Sequence, residues 1–400
     1  MTARIVATLT RLTGDFALAE DLAQDALADA LAQWPGQGVP RNGAAWLTAV
    51  AKRKAIDHWR RLERYDDRIA ALAHDLEREQ DEAADALPWD PDEIDDDVLR
   101  LIFTACHPLL SQQARVALTL RVVAGLETAE IARAFLVPVA TVQQRIVRAK
   151  QALAGVPFET PPRAERAERL TAVLGVLYLI FTEGHAATSG DDWMRPDLAR
   201  EAIRLTRILA SLQPDEPEVH GLLALLELTA ARFPARVDPH GEPVLLADQD
   251  RRRWDRGAIR RGRAALARAE GFGRGLGPYA LQAAIAECHA VAPDVDSTDW
   301  PRIVATYDAL LQIAPSPVVA LNRAVAVSMA DGPEAALVIV DGLAGERSLA
   351  LGHLLPSVRG ELLSRLGRDA EAREAFALAA KRTENARERA VLLAKAAAGR

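Results

Sequence analysis

Leu126-Glu127-Thr128-Ala129-Glu130-Ile131-Ala132-Arg133-Ala134-Phe135, a short break, and Pro138-Val139-Ala140-Thr141-Val142-Gln143-Gln144-Arg145-Ile146-Val147-Arg148 form the decisive stretch of this 400-residue chain. Pro138 suits the first position of a helix, where no amide donor is needed. Val142, Ile146, Ala149 and Leu153 recur at the spacing of one helical stripe and predict the packing face. Gln144 and Arg148 then point away, with Thr141 and Arg145 on the flanks. Two short helices with a tight break, the second polar and basic outside, are the signature of a helix-turn-helix. Gln pairs bidentately with adenine and Arg with guanine, each worth ~1–3 kcal/mol of discrimination, so Gln143, Gln144, Arg145 and Arg148 are candidate base readers. An ordinary solvated helix face carries the same residue types, so the flanking sequence has to decide.

Upstream, from Ala19 to Trp34, the apolar residues Ala23, Ala26, Leu27, Ala30, Leu31 and Trp34 follow a helical stripe. Asp21, Gln24, Asp25 and Asp29 lie off it and predict an acidic outer face. Pro35-Gly36-Gln37-Gly38-Val39-Pro40 predicts a loop. A second helix is expected from about Ala44 to Leu62, with Leu47, Val50, Ala51 and Ala55 inward. Lys52, Arg53 and Arg60 lie roughly opposite, and Ile56 fits neither face. Lys52-Arg53-Lys54 and Arg60-Arg61, bracketed by Trp46 and Trp59, combine phosphate-neutralising charge with stacking surfaces, which suits melted single-stranded DNA. The plainer alternative makes Trp46 core and the basic run a solvated face.

Half the residues are hydrophobic and only 5% aromatic, which favours an all-α chain. The 2 cysteines exclude a disulfide framework and a multi-cysteine zinc site. The N-terminus has no apolar run of a signal peptide, and the longest such run, Ala172 to Phe181, is far below the ~20 residues of a membrane span. A cytoplasmic protein with no membrane contact is expected. The net charge is −7, but its distribution is uneven. Residues 1–62 hold 8 Lys/Arg against 6 Asp/Glu, residues 63–97 hold 3 against 15, and residues 98–155 hold 7 against 2. Two mildly basic modules thus flank an acidic stretch with little to bury, which reads as a linker. Helical periodicity resumes near Val98.

Beyond Pro161-Pro162 the pattern is helical almost to the end. Leu366 through Phe376 resembles the second helix of a tetratricopeptide repeat, and Ala330 through Leu337 is a looser copy, Gly332 preceding Gly367 by 35 positions against a period of ~34. Ala199–Ala224 and Ile303–Pro315 share the helix–Pro–helix grammar, while residues 235–278 do not. An irregular alpha-solenoid is expected. Three further groups invite chemistry. Cys106-His107, at the end of an apolar helix, reads as core. Thr182-Glu183-Gly184-His185 places a carboxylate and an imidazole at a helix end, without a nucleophile or metal constellation. Arg251-Arg252-Arg253-Trp254 reads as a solvated loop rather than an anion site.

Ala19-Glu20-Asp21-Leu22-Ala23-Gln24-Asp25-Ala26 resembles the polymerase-binding helix of the extracytoplasmic-function (ECF) sigma factors. Ala45-Trp46-Leu47 through Ala55-Ile56-Asp57-His58-Trp59-Arg60-Arg61 resembles their promoter-melting helix, and Leu126–Leu153 their C-terminal helix-turn-helix. The remainder resembles the TPR-like extension of one ECF subgroup. This resemblance implies a division into 1–62 (sigma region 2), 63–97 (acidic linker), 98–156 (sigma region 4) and 157–400 (TPR-like domain). It implies that Asp21, Gln24 and Asp25 meet the polymerase clamp. The loop Pro35–Gly43 with Arg41 and Asn42, and the face of Lys52, Arg53 and Arg60 with Trp46, Lys54 and Arg61, would hold the minus-ten element. Thr141, Gln143, Gln144, Arg145 and Arg148 would read the minus-thirty-five element. Core RNA polymerase and promoter DNA are the implied partners, with a protein partner on the C-terminal domain. No cofactor, metal or catalytic activity is expected. Arg53 replaces the usual Asn, Leu136 replaces the usual Gly of the turn, and the chain begins one helix late. A plain helix-turn-helix regulator with a TPR-like sensory domain is the alternative; it needs no acidic clamp helix.

Overall fold

The computed structural model describes residues 2–40, 43–62, 91–135, 137–185, 194–238, 244, 246–350, 352–383 and 385–397, and every regular element among them is helical. Contacts divide the chain into two units, Met1–Leu177 and Tyr178–Arg400.

In the first unit, α1 (Thr2–Thr13), α2 (Phe16–Gln37) and α3 (Gly43–Leu62) pack on one another. Asp15 caps α2 by accepting from the amides of Ala17 at 2.8 Å and Leu18 at 3.1 Å. α1 buries Ile5, Val6 and Leu9, a stripe that sequence reading passed over by starting at the acidic helix. The buried face of α2 is Phe16, Ala19, Leu22, Ala23, Ala26 and Ala30. Leu31 stands 77% exposed, about 100° round the helix from Ala30, so the expected stripe drifted off the true one. The helix also runs through Pro35 rather than breaking there. Proline removes one bond near the helix end, and Gly38, at φ 82°, terminates it with its amide on the Trp34 carbonyl at 2.9 Å. Ile56 is buried on α3 together with Leu47, Ala51 and Ala55.

α4 (Pro91–Ala105) begins with a proline at its first position, well before Val98. Asp97 explains why charge counting missed this helical turn. It is 1% exposed and pairs with Arg11 at 3.0 Å and Arg100 at 2.6 Å. α5 (Gln112–Leu118) runs into a π-helical turn, Thr119–Ala124, which Gly125 ends at φ 78°. α6 (Thr128–Ala134), α7 (Val139–Ala152) and α8 (Arg163–His185) follow. α1 packs against α4 and the π-turn as well as against α2 and α3.

The second unit holds α9 (Pro196–Leu212), α10 (Pro217–Ala230), α11 (Arg256–Gly271), α12 (Pro278–Val291), α13 (Trp300–Ile313), α14 (Pro317–Ala330), α15 (Pro333–Gly342), a short α16 (Arg347–Ala350), α17 (Leu354–Arg365), α18 (Asp369–Arg382) and α19 (Ala386–Ala397). Five of these helices start on a proline, which fixes φ where no amide donor is required. Contacts run mainly between helices close in sequence, α10 with α11 and α12, α13 with α14, α14 with α15, and α17 through α19. This is the quasi-one-dimensional packing of a solenoid. At Gly221 a Cβ would lie 2.7 Å from the Ala280 backbone nitrogen, so only glycine lets α10 approach α12 this closely.

Candidate nucleic-acid interface

Local capping sets the helix-turn-helix. The Glu130 carboxylate accepts from the Glu127 amide at 2.7 Å at the start of α6. The Val137 amide closes on the Ala132 carbonyl at 3.1 Å, and that of Thr141 on the Pro138 carbonyl at 2.9 Å. Leu136, the departure from the usual glycine, lies outside the described residues. On α7, Val142, Ile146 and Ala149, with Leu153 just beyond, are buried as the spacing predicts. Gln143, Gln144 and Arg148 are exposed, and Thr141 and Arg145 are half-buried on the flanks. The helix therefore presents two amides and one guanidinium on open surface, with a second guanidinium beside them. These are the donor and acceptor groups that read base edges in a major groove.

On α2, Asp21 and Asp25 are exposed and Gln24 is half-buried. On α3, Arg53 is exposed, Lys52 is half-buried, and Lys54 is tied to Asp29 of α2 at 2.9 Å. Trp46 packs edge-on against Trp34, with ring centroids 5.6 Å apart at 61°, so part of its face is committed to the helix pair. Arg41 and Asn42, and the side chains of Trp59, Arg60 and Arg61, lie outside the described residues.

Sequence reasoning missed Glu20. It is 4% exposed, and its carboxylate is held by Lys150, in the last turn of α7, and by Arg121 of the π-turn at 3.3 Å. Lys150 also donates to Asp21 at 3.1 Å. Burial pulls the Lys150 ammonium down, but its bonds to Glu20 and Asp21 outweigh that and raise it above the ordinary lysine value. These partners are 130 positions apart for Glu20 and Lys150, a separation that helical periodicity cannot see.

The other singled-out groups resolve as structure. Cys106 is buried against Thr119 at 3.5 Å, and burial pushes its thiol up to about 11, which leaves it an unreactive thiol. Glu183 pairs with Arg195. His185 stacks on Phe181 and Phe233, each 5.8 Å away, and meets Arg236. Burial, then Arg236 and Arg232, hold that imidazole well below its usual value, hence neutral. Arg251 corrects the reading of a solvated loop. It is 7% exposed and donates to the carbonyls of His289 and Ala292, both at 2.8 Å, because it closes the C-terminal end of α12. Arg252 and Arg253 stay exposed.

An acidic helix, a basic helix beside it and a helix-turn-helix stand in the same unit, the arrangement expected of a sigma-type transcription initiation factor. The model of Sigma-70 region 2 matches residues 2–65, that of Sigma-70 region 4 matches residues 100–153, and that of a family of unknown function, DUF6596, matches residues 169–270. An uncharacterized protein of Rhizobium meliloti (strain 1021) is 47% identical over 387 residues, covering 96% of this chain and 90% of that protein. No solved structure matches. The chain belongs to the sigma-70 family, in its ECF type, with a C-terminal extension. It binds RNA polymerase and promoter DNA. No helix among the described residues is long and apolar enough to cross a membrane.

Proposed function

We propose that residues 1–62 dock on the polymerase clamp and hold the minus-ten element, that 98–156 read the minus-thirty-five element, and that 157–400 act on both as a TPR-like domain. In this reading Asp21, Gln24 and Asp25 meet the polymerase. Lys52 and Arg53, with Trp46, Arg41, Asn42, Arg60 and Arg61, act on the opened strand. Lys54, paired with Asp29, contributes less to DNA than its neighbours. Thr141, Gln143, Gln144, Arg145 and Arg148 face the upstream duplex. The observation that carries the reading is the exposure of Gln143, Gln144 and Arg148 opposite a fully buried stripe on α7. The extension regulates the factor in cis or binds a protein partner, supported by its neighbour-on-neighbour helix stacking, which builds extended binding surfaces.

Arg145→Ala and Arg148→Ala test the reading. A base-reading arginine loses specificity at one position, by about 1–3 kcal/mol, whereas a phosphate-binding one weakens all sequences alike. Profiling each variant on a randomised promoter library should show altered upstream preference with core polymerase binding intact. A profile identical to that of the parent would remove α7 as the reader.

A further inference from the structure

We propose that the second unit holds a binding site for a small oxyanion, the phosphate or carboxylate group of a free small molecule, centred on Arg232 and Trp254. This site is independent of the docking and promoter readings above. Two short 3-10 turns, Phe233–Ala235 and Arg251–Arg253, build it and pack on each other. The Asp255 amide donates to the Ala231 carbonyl at 2.8 Å, which ties together the segments that carry them. Asp250 caps the second turn by accepting from the Arg252 amide at 3.0 Å. Arg232 and Arg251 are thereby brought against Trp254, their guanidinium carbons 5.9 and 5.0 Å from its ring centroid. Arg236, at the end of the first turn, reaches His185, and the His289 carbonyl accepts from Arg251 at 2.8 Å.

Charge and burial do not balance in this cluster. Trp254 is 2% exposed, Arg236 6% and Arg251 7%. Arg251 gives its donors to carbonyls while the exposed Asp294 acts on it from outside, and Arg236 meets an imidazole. Arg232 is half-buried. Among the described residues no carboxylate pairs with it, and its Nε, shut off from solvent, has no acceptor. The Trp254 indole nitrogen and His289 Nδ1 are buried without a partner in the same way. Burial and then Arg251 pull the Arg232 guanidinium down to about 10, and burial and then Arg232 pull Arg236 down to about 9. Burial, then Arg232 and Arg251, hold the His289 imidazole at about 4, hence neutral. A desolvated guanidinium without a counter-ion, beside two others, is strongly unfavourable, and an aromatic face offsets only part of that. Water satisfies an N–H but leaves the charge. An oxyanion does both, accepting from Arg232 Nε and the Trp254 indole and supplying the negative charge. Because the donors are recessed among nearly buried side chains, the ligand is a small molecule rather than the surface of a macromolecule.

Thermal melting and titration calorimetry of the full chain in chloride buffer test the site, with inorganic phosphate and succinate as separate probes at constant ionic strength. Either probe, at a hundredfold excess over its dissociation constant, should raise the melting temperature of the parent by about 5–10 °C. A response to phosphate alone would name a phosphoryl ligand, to succinate alone a carboxylate, and to both the oxyanion in general. Arg232→Met, which keeps an apolar stem without the charge, should lose that shift and melt no lower than the parent in chloride alone. Arg252→Gln, on an exposed side chain outside the cluster, should keep the parent's response. An Arg232→Met chain that melts several degrees below the parent in chloride would mean that Arg232 is satisfied within the fold, and would overturn the site. So would a parent that takes up neither probe, or an anion response that survives Arg232→Met.

Discussion

Asp21→Arg combined with Asp25→Arg should cut capture of core RNA polymerase by about tenfold or more, because complementary potentials govern such association and like charges brought together oppose it. Both carboxylates are exposed on α2, and the helix itself is capped and packed elsewhere, so the substitutions leave its fold alone. The double variant carries an internal control. Asp21→Arg also breaks the contact with Lys150. Asp25 lies outside the Lys150 cluster, so Asp25→Arg alone should lower affinity with the Lys150–Asp21 contact intact. Pull-down with core polymerase at low and moderate salt reads the result. Parental capture by the double variant would exclude α2 as the docking face.

Truncation near Thr160 should leave a folded but poorly active factor, with run-off transcription about tenfold below that of the full chain at matched core occupancy, the equivalent of ~1.4 kcal/mol. The cut falls just before α8, whose first turns carry Leu170, Val173 and Leu174 into the core, while Arg169 donates to the Phe103 carbonyl at 3.0 Å. A second truncation after Leu177 keeps the first turns of α8 and the Arg169 bond to Phe103. If the longer fragment recovers activity, the requirement is packing of α8; if both fail alike, the extension itself is needed. Full activity from the Thr160 fragment would refute the requirement, and activity above the parent would make the extension an inhibitor.

The helix-turn-helix was legible because its information is local. Val142, Ile146, Ala149 and Leu153 fall on one stripe, Pro138 starts the helix, and the exposed face follows from the same period. The acidic face of α2 was legible for the same reason, although Leu31 was assigned to the core. Where reading failed, the deciding partner was distant in sequence. Asp97 looked like one more linker aspartate until Arg11 buried it. Arg251 looked solvated because the carbonyls it satisfies belong to the end of α12. Glu20 was not singled out within the acidic helix, because its burial depends on Lys150 and Arg121. In the extension, prolines marked helix starts, but the degenerate repeat concealed how closely α10, α11 and α12 pack.

Promoter-dependent transcription is the central claim, and reconstitution with core polymerase and a randomised promoter library measures it directly. The full chain, added to core enzyme, should enrich transcripts from templates sharing two short elements, and core enzyme alone should enrich none. Transcripts that show no sequence preference above core enzyme alone, from a chain that binds duplex DNA without polymerase, would contradict the assignment and leave a helix-turn-helix regulator in its place.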